Sequence, residues 1–194
     1  MPITGDTCMA CGRPLNSAVD ICRDCCGRQS SFLFVRPAGL YEGPLKELIL
    51  ALKFHGKRPA ARVIGKIVAR NIDSSLFETA DIITPVPLAK MALKARGYNQ
   101  SMEIAETAAR IHGKNVVSCL KKIRETEPQS SLDRDARAAN IKGVFLSGKE
   151  AKGKKILLFD DVYTTGATMN EAASELLRAG AVSVTGIVAA RAMT

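Results

Sequence analysis

Residues 156–168 leave a chain few ways to fold. Ile156, Leu157, Leu158 and Phe159 form an unbroken apolar run, and Asp160 and Asp161 follow it. Val162 and Tyr163 lead into a Thr/Gly-rich loop: Thr164, Thr165, Gly166, Ala167 and Thr168. An apolar run without polar alternation reads as a strand buried on both faces, which is the habit of parallel sheets. The strand is expected over 155–159 and ends at the two carboxylates. Met169, Ala172, Ala173, Leu176 and Leu177 then recur on one helical face. Thr168 and Glu171 have capping-box spacing, and Gly180 closes the helix.

That order puts a glycine-containing loop and a helix N-terminus at the C-terminal end of a parallel strand. Free N–H groups, the helix dipole and threonine hydroxyls converge there, so the place suits phosphate. Adjacent carboxylates suit ribose hydroxyls or a hydrated Mg²⁺. Together they suggest a ribose 5-phosphate group. The competing reading is an ordinary strand–loop–helix with an Asp-rich turn.

Five of the six cysteines lie in the first 26 residues. Cys8 and Cys11 form one CxxC pair and Cys22 and Cys25 another, the spacing of a structural zinc site. Cys26 is an alternative fourth ligand. Large apolar residues are scarce in this segment, so metal is expected to supply its stability. Disulfides are the competing reading, and a cytoplasmic setting disfavours them. The polar stretch 27–31 reads as a linker. The expected division is a zinc ribbon with linker over 1–31 and the main domain over 32–194. Cys119 is expected in the core.

The remaining pattern alternates strands and helices, which implies an α/β fold with a largely parallel sheet. An edge strand broken at Pro37 is expected over 32–41. Leu45, Leu48, Ile49 and Leu52 mark one amphipathic helix, and Ala61, Ile64, Ile67 and Val68 a second. A buried strand over 81–87 runs into a turn stiffened by Pro85 and Pro87. A helix carrying Ile104, Ala105, Ala108 and Ile111 stops at Gly113. Short strands are expected over 116–120 and 182–190. Residues 124–140 lack a core face and read as a long excursion of the kind that often serves as a lid.

Lys and Arg number 28 against 19 Asp and Glu, a net charge of +9. Residues 90–142 hold 11 basic and 6 acidic residues, net +5. Such a field suits phosphate-rich ligands or nucleic acid, although no Lys/Arg block or basic–aromatic stripe appears. No run approaches 18 apolar residues, so no membrane span is expected. The first six residues lack the pattern of a secretory signal, so the protein is expected to be soluble and cytoplasmic.

Residues 156–168 resemble the phosphoribosyl pyrophosphate (PRPP) motif of type I phosphoribosyltransferases. Pro85, Val86, Pro87 and Leu88, followed by Arg96, Gly97, Tyr98, Asn99 and Gln100, resemble the ComF family of bacterial competence-related proteins. So do Arg124, Thr126, Gln129 and Leu132 with Arg137, Asn140, Gly143 and Phe145, the tandem CxxC pairs, and the segment from Leu52 and Lys53 to Phe54, His55 and Gly56. The likeness spans essentially the whole chain. It departs after Leu88, where Ala89, Lys90, Met91 and Ala92 stand in place of the His and arginines common in the family.

The resemblance implies a type I phosphoribosyltransferase domain, Rossmann-like with a mostly parallel sheet, behind a small zinc ribbon. It implies that Asp160 and Asp161 hold the ribose hydroxyls and that Thr164, Thr165, Gly166, Ala167 and Thr168 hold the 5-phosphate. Leu88, Ala89 and Lys90 would meet diphosphate through backbone N–H groups. Arg96, Arg124 and Arg137 are the candidate catalytic cations, with Lys90 and Lys94 as further diphosphate partners. The 124–140 excursion would close over PRPP. Tyr98 is either a base-stacking residue or a core tyrosine, and His55 and His112 read as structural.

Three functions follow as expectations. The first is Mg²⁺-dependent pentosyl transfer from PRPP to an unassigned acceptor, with pyrophosphate release. The second is a single-stranded DNA-binding accessory of DNA uptake and natural transformation, working with DNA-uptake proteins on the same fold. The third is a PRPP-sensing regulator.

Overall fold

A strand covered on both faces needs two separate cores, and the computed structural model has them. It describes residues 3, 5–16, 19–126 and 140–193. The central strand presents Ile156 and Leu158 to one apolar cluster and Leu157 and Phe159 to another. Four parallel strands make the main sheet: β1 (Val35–Pro37), β2 (Ile82–Pro85), β5 (Lys155–Tyr163) and β6 (Ser183–Arg191), in the order β1-β6-β5-β2. The expected mostly parallel α/β architecture is therefore the one observed.

One face is covered by α1 (Gly43–Phe54), α2 (Pro59–Asn71), the short α3 (Ser74–Thr79) and α5 (Gln100–Ile111). The other is covered by α6 (Ala167–Arg178), by a two-stranded antiparallel sheet of β3 (Leu120–Lys122) and β4 (Phe145–Ser147), and by the cysteine segment. The short helix α4 (Lys90–Arg96) follows β2. No helix among the described residues is long and apolar enough to cross a membrane.

The cysteine segment packs directly on the sheet domain. Cys8, Cys11 and Cys22 share a cluster with Val35, Tyr163, Met169 and Val188. The Val35 amide donates to the Ala10 carbonyl at 2.8 Å, and the Ser31 amide donates to Asn170 Oδ1 at 2.8 Å. The cysteine segment is thus tied to β1, and the last residue of the linker to α6.

Several expectations change. The strand expected over 116–120 is a single parallel bridge from Val116 to Ile83, and the extended segment lies later, in the antiparallel β3. β5 does not stop at Phe159: Asp160, Val162 and Tyr163 stay in register with β6, so both carboxylates sit within the strand. Residues 90–96 are helical although none is buried, so no apolar periodicity announces α4. The capping box at Thr168 and Glu171 is not formed. α6 begins two residues earlier with Gly166 at its N-cap, and Glu171 Oε1 accepts from the Gly143 amide. Residues 127–139 lie outside the described residues, and with them most of the 124–140 excursion, including Gln129, Leu132 and Arg137.

Candidate functional site

β2 and β5 are adjacent, and their C-terminal ends bring two loops together. Pro85 is in register with Phe159, and the Val86 amide donates to the Phe159 carbonyl at 2.8 Å. Leu88, Ala89 and Lys90 therefore leave the sheet beside the strand that carries Asp160 and Asp161. This C-terminal edge of a parallel sheet is where open α/β folds bind ligands.

The two carboxylates are held differently. Asp161 is 4% exposed, and its Oδ1 lies 2.8 Å from Lys53 Nζ on α1. Its Oδ2 is buried and has no hydrogen-bond partner. Asp160 Oδ1 accepts from the Ser101 hydroxyl at 3.0 Å and from the Asp161 amide at 2.9 Å. Burial, and next the Asp161 charge, push the Asp160 carboxyl up to about 7, with the Lys53 charge opposing. Burial alone would lower the Lys53 ammonium, but Asp161 outweighs it and holds the pKa above the usual lysine value. Lys122 feels the opposite balance: burial lowers it, and the Glu125 and Asp160 charges only partly compensate. This edge thus holds one carboxylate paired with Lys53 and one that burial pushes up to about 7.

Beyond Tyr163 the chain makes the loop Thr164, Thr165 and Gly166, then enters α6. Gly166 has φ +83°, and a Cβ there would run into the Tyr163 hydroxyl. The position demands glycine on both counts. Gly166, at the N-cap of α6, supplies no capping side chain. Thr165 Oγ1 accepts from the Ala167 amide at 3.4 Å, and Thr168 sits in the first turn of α6.

The stretch from Arg96 to Gln100 is a brace. Gly97 ends α4 with φ +80°. The Tyr98 hydroxyl is buried and donates to the Leu52 carbonyl, next to Lys53, which places Tyr98 in the core and not on an open base-stacking face. Asn99 caps α5: its Oδ1 accepts from the Ser101 and Met102 amides, and its Nδ2 donates to the Val86 carbonyl at 3.0 Å. One asparagine thus joins the β2 turn to the helix that aims Ser101 at Asp160. Arg96 Nη1 donates to Gln100 Oε1. Arg124 Nη2 donates to the Lys142 carbonyl at 2.7 Å and so joins residues on either side of 127–139. The Met91 amide in the first turn of α4 is bound by Glu125 Oε1 at 2.9 Å. His112 stacks on Phe77 in the core, as a structural residue does.

Sequence reading did not nominate Lys53 or Ser101 for the site. Lys53 stands inside a segment that carried the family likeness and Ser101 directly follows another, and an ionisable residue directly after the buried Leu52 was the available signal for Lys53.

The Sγ atoms of Cys8, Cys11, Cys22 and Cys25 lie within 4.8 Å of one another, and this group can hold a metal ion. Cys25 is the fourth member, and Cys26 is exposed. The Cys22 amide donates to Cys8 Sγ at 3.3 Å. Burial tends to raise the Cys8 thiol, but backbone N–H donors outweigh it and hold the pKa at about 7. Burial pushes Cys11 up to about 11. Four clustered sulfurs with N–H donors aimed at one of them fit a thiolate-binding divalent metal.

No family model matches the chain. It is 31% identical over 179 residues to competence protein F of Haemophilus influenzae, covering 88% of this chain and 78% of the relative. It is 29% identical to competence protein ComFC of Bacillus subtilis, covering 92% and 74%. It is 28% identical to DNA utilization protein YhgH of Escherichia coli, covering 91% and 80%. Among solved structures, glutamine PRPP amidotransferase from B. subtilis aligns with a TM-score of 0.45 at 20% identity, over 68% of this chain and 26% of that one. The similarity to competence protein F, sustained along nearly nine-tenths of the chain, makes this protein a member of the ComF family.

Proposed function

We propose that the C-terminal edge of the sheet binds PRPP and supports transfer of its 5-phosphoribosyl group to an acceptor, with release of pyrophosphate. The observation that carries this reading is the continuous run from the adjacent Asp160 and Asp161 through the Thr164–Gly166 loop into the N-terminal turn of α6, beside the loop after β2. Asp160 and Asp161 accept the ribose hydroxyls. Lys53 pairs with Asp161, and Ser101 orients Asp160. The amides and hydroxyls of Thr164, Thr165, Gly166, Ala167 and Thr168 hold the 5-phosphate.

With Asp160 and Asp161 given to the ribose, no further side chain among the described residues of this edge stands out as a general base, so catalysis falls to positioning and to stabilisation of the leaving group. The bond from C1 of the ribose to diphosphate breaks as the acceptor attacks. Leu88, Ala89 and Lys90 receive the diphosphate, and Arg96, Arg124 and Arg137 supply cations around it. Mg²⁺ bound with PRPP would offset the diphosphate charge, with Asp160 and Asp161 as the oxygen donors nearest to it. Zn²⁺ on Cys8, Cys11, Cys22 and Cys25 would be structural, because four protein ligands leave no open position.

Calorimetric titration of PRPP with Mg²⁺ tests the reading on the wild type beside Asp160→Asn/Asp161→Asn. Binding by the wild type and its loss in a folded double variant is the expected result. No binding by the wild type overturns it.

A second reading draws on the relatives' names and on α4. α4 buries none of its residues and exposes Lys90 and Lys94 at the same edge. As a single-stranded DNA-binding accessory of DNA uptake in the cytoplasm, the protein would bind oligonucleotides with an affinity that falls steeply with salt. Salt-insensitive or absent binding counts against it. If PRPP shifts that affinity, the protein is a PRPP-sensing regulator.

A further inference from the structure

Arg191 ends β6 and is 2% exposed, yet its Nε and Nη1 have no hydrogen-bond partner. Its backbone is fixed, with its amide donating to the Gly39 carbonyl and its carbonyl accepting from Tyr41. The guanidinium stands 4.8 Å from the centre of the Tyr163 ring, which offers a π face but no acceptor for the N–H groups. None of the ion pairs found among the described residues gives it a carboxylate. A buried guanidinium in this state is costly, so an anion belongs beside it.

The cysteine cluster can supply such an anion. Tyr163 shares its apolar cluster with Cys8, Cys11 and Cys22, with Cys25 packed against it, and the Arg191 charge acts on the Cys11 sulfur. Four thiols carry no charge, whereas four thiolates around a divalent ion carry a net charge of −2. Arg36 also lies within the field of Cys8 and Cys11, but its Nη1 is already given to the Met9 and Val35 carbonyls. Arg191 alone of these two has unused donors in the interior.

We propose that Arg191 is the buried counter-charge of the metal-loaded cysteine cluster. It is a positioning residue for the metal, and the inference rests on reading the four cysteines as a metal site. The rival anion is a phosphate on the Thr164–Gly166 loop, from which the Tyr163 ring and hydroxyl separate the guanidinium.

The test loads the full chain with Co²⁺, reads the sulfur-to-cobalt charge-transfer band, and measures metal affinity by chelator competition. Wild type, Arg191→Lys, Arg191→Gln and Arg191→Met are compared. A tetrathiolate band in all four, with affinity falling ten- to a hundredfold in Arg191→Met and less in Arg191→Lys, is the expected result. Thermal melts add a sign test. Arg191→Met lowers the melting temperature of the loaded protein but not that of the metal-free protein, where it removes an unpaired charge. Equal metal affinity in wild type and all variants overturns the role of Arg191 and leaves the metal reading standing. No thiolate band in the wild type overturns the metal reading, and this inference with it. Unchanged metal affinity with lost PRPP binding assigns Arg191 to the phosphate instead. If Arg191→Met does not fold, the Lys and Gln variants carry the comparison, because one keeps the charge and the other keeps donors without it.

Discussion

Lys53 Nζ and Asp161 Oδ1 are 2.8 Å apart, an ion pair that fastens α1 to β5 at the C-terminal edge of the sheet. Asp161 is nearly inaccessible, so the pair cannot open to water without cost. Removing one partner of such a pair strands the other. Lys53→Met is expected to lower the unfolding free energy by about 3 kcal/mol in urea titrations. Lys53→Met/Asp161→Leu is expected to recover most of that loss while abolishing PRPP binding. A single variant as stable as the wild type would contradict the pairing.

Gly166 turns over the Tyr163 hydroxyl with φ +83°. Gly166→Ala meets both a backbone strain of about 1–2 kcal/mol and a collision with that hydroxyl. PRPP affinity is expected to drop at least tenfold, and calorimetry checks it. Adding Tyr163→Phe removes the obstructing oxygen and is expected to restore part of the affinity.

Asp160 supplies a pH signature. Its folded pKa of about 7 lies above the unfolded carboxylate value, so the native state holds its proton more tightly. That contribution to stability is complete below about pH 4 and is lost as pH rises through about 7. Asp160→Asn is therefore expected to raise the melting temperature at pH 8 more than at pH 5. Ligand binding runs the other way. Ribose hydroxyls donate to the ionised carboxylate, so PRPP affinity is expected to rise from pH 6 to pH 8 in the wild type.

Asn99 is a single side chain holding α5, the β2 turn and, through Ser101, the orientation of Asp160. Asn99→Ala is expected to cost about 1–2 kcal/mol as a lost cap. It should also weaken PRPP binding more than an equally destabilising substitution elsewhere in α5, which paired denaturation and calorimetry would show.

What could be read from the chain depended on whether the information was contiguous. Asp160 to Thr168 is one uninterrupted segment, and the buried strand before it fixes the edge on which it emerges. Lys53 and Ser101 arrive from helices far away in sequence, and only packing of α1 and α5 on the same face of β5 brings them to the carboxylates. α4 buries nothing, so hydrophobic periodicity was silent there. The last four residues of β5 escaped for a related reason. Two aspartates break the apolar pattern, but pairing with β6 carries the strand through them. The spacing of the cysteines implied a tetrahedral set, yet Cys25 and Cys26 are neighbours in sequence. Only the fold puts one sulfur inward and leaves the other residue in solvent.

β1 is an outer strand of the sheet, and the Val35 amide on that strand is given to Ala10 in the cysteine segment. The segment therefore works as an edge guard. A parallel sheet with a bare rim offers a template for pairing with other chains. With a metal on the four cysteines, as proposed above, stripping it should loosen the guard and first appear as self-association, with light scattering rising under chelator before the sheet itself melts.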